Sequence, residues 1–237
     1  MTGIEEVEVI TRKLDISDDE VLIKSHMSGI CGSDKNLYLG IAPPNGGLNT
    51  EMRKAFVFPF FIGHEGAGEV VAVGKAVREI AIGDRVMSFG WIETCSEYFK
   101  ATEEDLETVP EGLSMDLASL GEPTACAMFS AINSGIKLGD IVAVVGMGFA
   151  GQIIAQVAKK IGAHRTIGVD VVDKKLELAA SLGLDHPINA SRENPMEAIL
   201  EYSHGNGADV IIEAAGTEEA VNLCSAAVRH NGTIVFY

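Results

Sequence analysis

The 237-residue chain holds four cysteines, Cys31, Cys95, Cys126 and Cys224, and no two of them form a C-x-x-C pair. Such wide separation excludes a compact zinc finger and argues against a disulfide framework, so the thiols are expected to be unpaired or to include a metal ligand. Basic residues are scarce, with 18 Lys and Arg against 34 Asp and Glu, and the net charge of −16 sets up a field that repels phosphate backbones and anionic lipid surfaces. Neither nucleic acid nor membrane is an expected partner. The strongest apolar runs, Phe56 to Ile62 and Ile141 to Val145, fall far short of the ~20 residues needed to cross a bilayer, and Pro59 interrupts the first. The opening MTGIEEVEVI carries acids where a secretory leader is basic and lacks its apolar centre, which predicts a cytoplasmic protein. What remains is ordinary globular usage, 47% apolar and 22% charged, which rules out disorder. At roughly 150 residues per domain the length suits one large or two modest domains.

The two halves read differently. Up to about residue 120, short β-type runs (EVLIKS from Glu20, GEVVAVG from Gly68, GDRVMSFG from Gly83) are separated by Gly- and Pro-containing turns. Residues 41–58 read as a long connection, and the acidic run Glu103, Glu104, Asp105 and Glu107 as a solvated acidic face or turn. From Leu117 a helix-compatible stretch, LASLGEPTACAMFSAI, leads into alternating strand and helix patterns. Strands are predicted at Ile141–Val145, Thr166–Val169, Val210–Ala214 and Thr233–Phe236, with a shorter one near Pro187–Asn189. Between them, Ile153, Ile154, Val157, Ala158 and Ile161 recur at helical spacing as one buried stripe that Gly162 ends. The expected fold class is α/β with a β-rich domain, divided into residues 1–123 and 124–237.

The segment IVAVVGMGFAGQIIAQVAKKIGAHRTIGVD meets each contextual demand on a dinucleotide fingerprint: a strand before it, an amphipathic helix after it, and an acid at the end of the next strand. Gly146 permits the tight turn, Gly148 the approach of the pyrophosphate, and Gly151 the packing of helix on strand, while the helix N-terminus presents N–H donors to the phosphates. Asp170, 19 residues beyond Gly151, can accept hydrogen bonds from both adenosine ribose hydroxyls and would repel a 2′-phosphate, which predicts NAD over NADP.

In the first half, GICGSD around Cys31 and GHEGAGEV around His64 put metal-capable side chains in glycine-rich turns. A thiolate, an imidazole and a carboxylate from Glu65 or Glu122 would make a three-ligand zinc set with one position open, the arrangement of a catalytic site. Spacing alone does not establish it: 33 residues separate Cys31 from His64 and 58 separate His64 from Glu122, which fits no compact metal motif.

In order, GICGSD, GHEGAGEVVAVG, GDRV, GEP, VVGMGFAG, VDVVDKK and EAAG resemble the landmarks of the zinc-dependent medium-chain dehydrogenases/reductases, the alcohol and polyol dehydrogenase group, from about Glu20 to the last residue. The resemblance implies an N-terminal GroES-like β domain followed by a Rossmann doubly wound parallel sheet. It implies that Cys31 and His64 are catalytic-zinc ligands, Glu65 a ligand or exchange partner, and Glu122 the third protein ligand or water holder. Ser33 would relay the alcohol proton, Asp34 would orient His64, and Lys175 would lie near the adenosine ribose. The implied reaction moves a hydride from an alcohol or polyol hydroxyl carbon to NAD, with zinc as Lewis acid, giving a ketone or aldehyde. The Glu-type ligand in GEP leans toward a secondary hydroxyl in a polar substrate.

Three departures from the family pattern stand out. VMSFGWIETCSEYF follows GDRV directly where many members insert a four-cysteine lobe, so one catalytic zinc and no structural zinc is expected, with Cys95, Cys126 and Cys224 as ordinary thiols. The chain stops at GTIVFY where members continue, so a fragment is expected, and a non-catalytic NAD-binding remnant is the alternative function. Homo-oligomerisation is left open on the same ground. Finally, Thr11 to Asp19 carries little apolar signal for an opening strand.

Overall fold

The computed structural model describes residues 1–40, 58–90 and 92–237. Apart from Phe58, the connection expected over 41–58 lies outside the described residues, as do the first two residues of the apolar run from Phe56. The chain divides into two compact units, Met1–Glu122 and Pro123–Tyr237.

In the first unit, β1 (Glu20–Gly29), β2 (Glu65–Val73), β3 (Arg85–Ser88), β4 (Tyr98–Thr102) and β5 (Leu106–Thr108) form an antiparallel sheet in the order β4-β1-β2-β3-β5. Val21 and Ile23 of β1, Val70 of β2, Val86 of β3 and Phe99 and Ala101 of β4 share one buried core. Each large apolar side chain of this kind contributes about 1.5–3 kcal/mol by leaving water. This is the GroES-like β unit. β1 runs beyond the EVLIKS segment because β2 pairs with it as far as Gly29↔Glu65. Before Glu20 the described residues form only an isolated Gly3–Glu6 bridge, in keeping with the weak signal over Thr11–Asp19.

The acidic run forms a short solvated turn over Glu103–Asp105, and Glu103 Oε1 also accepts the backbone N–H groups of Glu79, Arg78 and Ile80, which hold its carboxyl below the usual range. A carboxylate closing a turn 23 to 25 residues away leaves no periodic trace in the sequence. Two short helices also belong to this unit, α1 (Gly32–Tyr38) and α2 (Met115–Ala118), and α3 (Gly121–Ile132) begins at its end and runs into the second unit, where Ala127 and Ala131 join the core. The single helix-compatible stretch from Leu117 is thus two helices broken at Ser119–Leu120.

The second unit alternates β6 (Ile141–Val145), α4 (Phe149–Ile161), β7 (Arg165–Asp170), α5 (Asp173–Ser181), β8 (His186–Asn189), α6 (Pro195–Tyr202), β9 (Ala208–Glu213), α7 (Glu218–Ala227) and β10 (Val228–Phe236). All its strand pairs are parallel, in the order β10-β9-β6-β7-β8, and two apolar clusters draw on alternate residues of β6, such as Val142 and Val144 against Ala143 and Val145. This is a Rossmann sheet, and its strand order reverses between β6 and β9, the crevice where such sheets bind ligands. Two details differ from expectation. β10 begins at Val228, with its register interrupted before Thr233. On α4 the fully buried residues are Gly151, Gln152, Ile154, Ala155 and Ala158, while Ile161 is 37% exposed. Small residues face the sheet because the helix starts in van der Waals contact with the preceding turn.

Candidate metal centre and dinucleotide cradle

The last pair of the β1–β2 ladder, Gly29↔Glu65, brings the residues that follow β1 beside those that open β2. Cys31 and His64, far apart in sequence, become neighbours by that register alone. One ligand-capable atom from each of Cys31, His64 and Glu65 lies within 4.8 Å of the other two, and they are the metal-capable cluster found among the described residues. His64 and Glu65 are buried and Cys31 is half-buried. Gly29 makes room for this: a Cβ there would stand 2.1 Å from Glu65 Oε2 and 3.0 Å from Glu65 Cβ.

Asp34, 3% exposed, ties the two loops together. Its Oδ2 accepts the Cys31 N–H at 3.0 Å, and its Oδ1 accepts the Gly63 N–H at 3.3 Å and stands 3.6 Å from His64 Nδ1. Asp34 first, then Cys31, push the His64 pKa up to about 10. His64 in turn lowers the Cys31 pKa against the cost of burial. Burial is the largest single influence on Asp34 and opposes its charge, but His64 and the two backbone N–H groups together outweigh it and the carboxyl pKa falls. Without metal, His64 and Cys31 thus favour each other's charged forms, with the Asp34 carboxylate bracing the imidazole. Burial raises the Glu65 pKa, and the charges of Glu122 and Asp34 raise it further.

Glu122 sits in the first turn of α3, where Gly121 lets the helix start close to Met87; a Cβ there would meet Met87 Sδ at 2.5 Å. The Glu122 carboxylate is outside the 4.8 Å cluster, although its charge reaches Glu65. Ser33 helps to lower the Cys31 pKa, while its own Oγ is buried and makes no hydrogen bond of ordinary geometry. Thiolate, imidazole and carboxylate are the donor types zinc prefers. With a thiol, an imidazole and a carboxylate converging within 4.8 Å and two acidic groups influencing each other, the residues present fit a bound zinc ion. Of the other thiols, Cys224 is buried in the second core, which pushes its pKa up to about 12, and Cys95 and Cys126 are exposed.

In the second unit the three glycines meet three different demands. Gly146 has φ 99°, and a Cβ on it would stand 2.7 Å from Ala214 C and Ala215 N. A Cβ on Gly151 would stand 1.9 Å from Gly146 O, whereas one on Gly148 would meet nothing within 4 Å. That open face at the start of α4 is a cradle of the right kind for a pyrophosphate. Asp170, at the end of β7, accepts Met147 N–H at 2.9 Å, Val171 N–H at 2.8 Å and Val172 N–H at 3.0 Å, and Lys175 Nζ stands 3.2 Å away. Burial is the largest influence on Asp170 and works against its charge, but these donors prevail and its pKa is lowered.

Two cradle residues escape a reading of the sequence. Gln152 Nε2 donates to Met147 O at 3.1 Å and Lys175 O at 2.8 Å, joining the glycine turn to α5. Glu213 Oε1 accepts the N–H groups of Ala215 and Gly216, both at 2.8 Å, and so shapes the turn that faces Gly146 across the switch point. A buried polar residue in an apolar pattern was the available signal in both cases.

Residues 17–122 match the family model for the alcohol dehydrogenase GroES-like domain, and residues 150–237 match that for zinc-binding dehydrogenases. A sorbitol dehydrogenase of Bacillus subtilis (strain 168) is 32% identical over 93% of this chain and 68% of its own length. Among solved structures, an alcohol dehydrogenase from Thermus sp. ATN1 has a TM-score of 0.79 at 27% identity, over 100% of this chain and 76% of that one. A zinc-binding dehydrogenase from Sinorhizobium meliloti 1021, bound to NADP, has a TM-score of 0.84 at 26% identity, over 99% and 74%. By sequence, by fold and by the order of its motifs, the chain belongs to the zinc-binding, alcohol dehydrogenase-type medium-chain dehydrogenase family.

Proposed function

We propose that this dehydrogenase uses zinc and NAD to take a hydride from an alcohol or polyol hydroxyl carbon, giving a ketone or aldehyde. The observation that carries the reading is the convergence of Cys31, His64 and Glu65 within 4.8 Å in a chain that also holds a glycine-rich cradle. When bound, zinc supplies Lewis-acid polarisation of the substrate hydroxyl and NAD supplies the hydride acceptor. Cys31, His64 and a carboxylate from Glu65 or Glu122 hold the ion. Asp34 faces His64 Nδ1, which leaves Nε2 for ligation. The Ser33 hydroxyl would accept the substrate proton while giving up its own toward solvent, so that one proton leaves to water for each hydride transferred. Gly148 admits the pyrophosphate, and Asp170 with Lys175 meets the adenosine ribose. The sorbitol dehydrogenase relative favours a polyol substrate. Single-turnover NADH formation by the zinc-loaded chain over a panel of alcohols and polyols tests this; NAD binding with no NADH formed from any of them overturns it in favour of a nucleotide-holding remnant.

Asp170 carries the choice of cofactor. Asp170→Asn keeps an acceptor for the backbone but removes the charge, so it should narrow the preference for NAD over NADP with modest loss of stability. Asp170→Ala should narrow it equally and also cost about 1.5–3 kcal/mol of stability, since three backbone N–H groups lose a charged acceptor. Dissociation constants for both cofactors and urea melts of both variants check this; tighter NADP than NAD binding by the parent protein would remove the argument.

Zinc binding should also depend on pH in a definite direction. In the metal-free protein His64 is held protonated to about pH 10, so its contribution to stability is fully present below its unfolded pKa of 6.5 and is lost as pH rises through about 10. Zinc must displace that proton. Apparent zinc affinity should therefore rise about tenfold per pH unit for each proton released between pH 6 and 8. Competition with a chelator at three pH values measures it, and a flat profile contradicts a His64 proton displaced by the metal.

A further inference from the structure

β3 alternates half-buried and buried residues, so Val86 and Ser88 both face inward, and Ser88 is a polar residue at a core position, only 1% exposed. The β2–β3 ladder pairs Glu69↔Arg85, Gly68↔Val86 and Ala67↔Met87, and there it stops. One step further the Ser88 side chain replaces it. Ser88 Oγ accepts the Gly66 N–H at 3.0 Å and lies 3.2 Å from Gly66 O and 3.3 Å from His64 O, sharing its one proton between these carbonyls. A single buried hydroxyl thus holds the backbone on both sides of Glu65. Gly66 leaves it room, since a Cβ there would come 3.1 Å from Ser88 Oγ and 2.5 Å from Thr94 Cγ2. From the other side, the Thr94 N–H binds Gly63 O at 3.1 Å.

We infer that Ser88 is a positioning residue for the metal centre, fixing the backbone from which His64 and Glu65 reach the ion. The inference rests on the reading of Cys31, His64 and Glu65 as a zinc site. Ligands carried by a loop bind a metal well only when their backbone is held before the metal arrives, and partners of this supporting kind typically govern 10–100-fold in affinity. Alanine at 88 would leave the Gly66 N–H buried with no acceptor, and the 64–66 backbone would have to shift to find one.

The test uses the full chain, stripped of metal and titrated with Co²⁺, following the sulfur-to-cobalt charge-transfer band that Cys31 would produce and the visible ligand-field bands. Ser88→Ala should weaken Co²⁺ binding by roughly 10–100-fold and alter the ligand-field bands. Val86→Ala, which removes fully buried methyl groups from the same strand without touching the 64–66 backbone, should lower the melting temperature but leave affinity and spectrum near those of the parent. Parent-like Co²⁺ binding by Ser88→Ala overturns the inference, as does an equal loss of affinity in Val86→Ala. If Ser88→Ala does not fold, Ser88→Gly, which removes the same hydroxyl without adding a second thiol to the Co²⁺ spectrum, carries the same comparison with the same outcomes. Failure of the parent itself to bind Co²⁺ with a thiolate band overturns the reading of the site, and is told apart because the parent and not the variant fails.

Discussion

Cys31→Ser is expected to leave zinc content near background while the metal-free fold survives. The hydroxyl of serine stays protonated at neutral pH and is a poor zinc ligand, whereas the Cys31 thiol already has its pKa lowered by His64. Loss of a direct ligand should exceed the upper end of what supporting residues cost, so affinity should fall by more than about 100-fold, with hydride transfer falling alongside it. The substitution separates metal from fold unusually well. Cys31 is the N-cap of α1, its side chain completes a capping box with Asp34, and serine is a better N-cap than cysteine. A melting curve close to that of the metal-free parent, together with absent zinc, is the expected pair of results. Unchanged zinc content would mean that the sulfur is not a ligand, and the assignment of the centre would fall with it.

The reasons this centre was hard to read from the sequence are physical. Strands of the Rossmann unit show as apolar runs bounded by glycine, because a parallel sheet covered on both faces has no polar side to alternate with. Ile141–Val145 was legible to the residue for that reason, and the fingerprint after it carries its own context. The metal cluster has no such local mark. Whether Cys31 and His64 meet depends on the register Gly29↔Glu65, a long-range property of an antiparallel pair, and only the order of motifs hinted at it. Least visible were side chains that bind remote backbone: Ser88 under His64, Glu103 under residues 78–80, Gln152 and Glu213 around the cradle. Each is a single polar residue with no periodic partner. Ile161 leaves the expected stripe for a related reason: hydrophobicity marks the apolar positions of α4, but small residues such as Gly151, Ala155 and Ala158 are the ones that allow close approach.

That close approach yields the sharpest contrast available in the second unit. Gly148→Ala and Gly151→Ala add the same methyl group three residues apart, yet they should fail in opposite ways. At Gly151 the new Cβ would stand 1.9 Å from Gly146 O and 3.0 Å from Gly146 C, backbone atoms that no rotamer change can move aside. The start of α4 would have to lift away from the turn, and overpacking against backbone should cost about 3 kcal/mol or more. For a chain of this size that lowers the melting temperature by roughly 6–12 °C, with cofactor binding weakened as a consequence. At Gly148 the backbone, φ −73° and ψ −162°, has the negative φ that L-residues adopt and lies at the edge of the extended region, and the methyl meets nothing within 4 Å. Stability should hold or rise by about 0.4–1 kcal/mol, because alanine narrows the unfolded ensemble. The methyl instead occupies the space through which the pyrophosphate approaches the helix N-terminus, so NADH affinity should fall on the order of 100-fold, about 2.8 kcal/mol. Thermal melts and fluorescence titration with NADH on the two variants decide the matter. A Gly148→Ala protein that binds NADH like the parent would show that the cradle is not where the cofactor phosphates sit, whatever Gly151→Ala does.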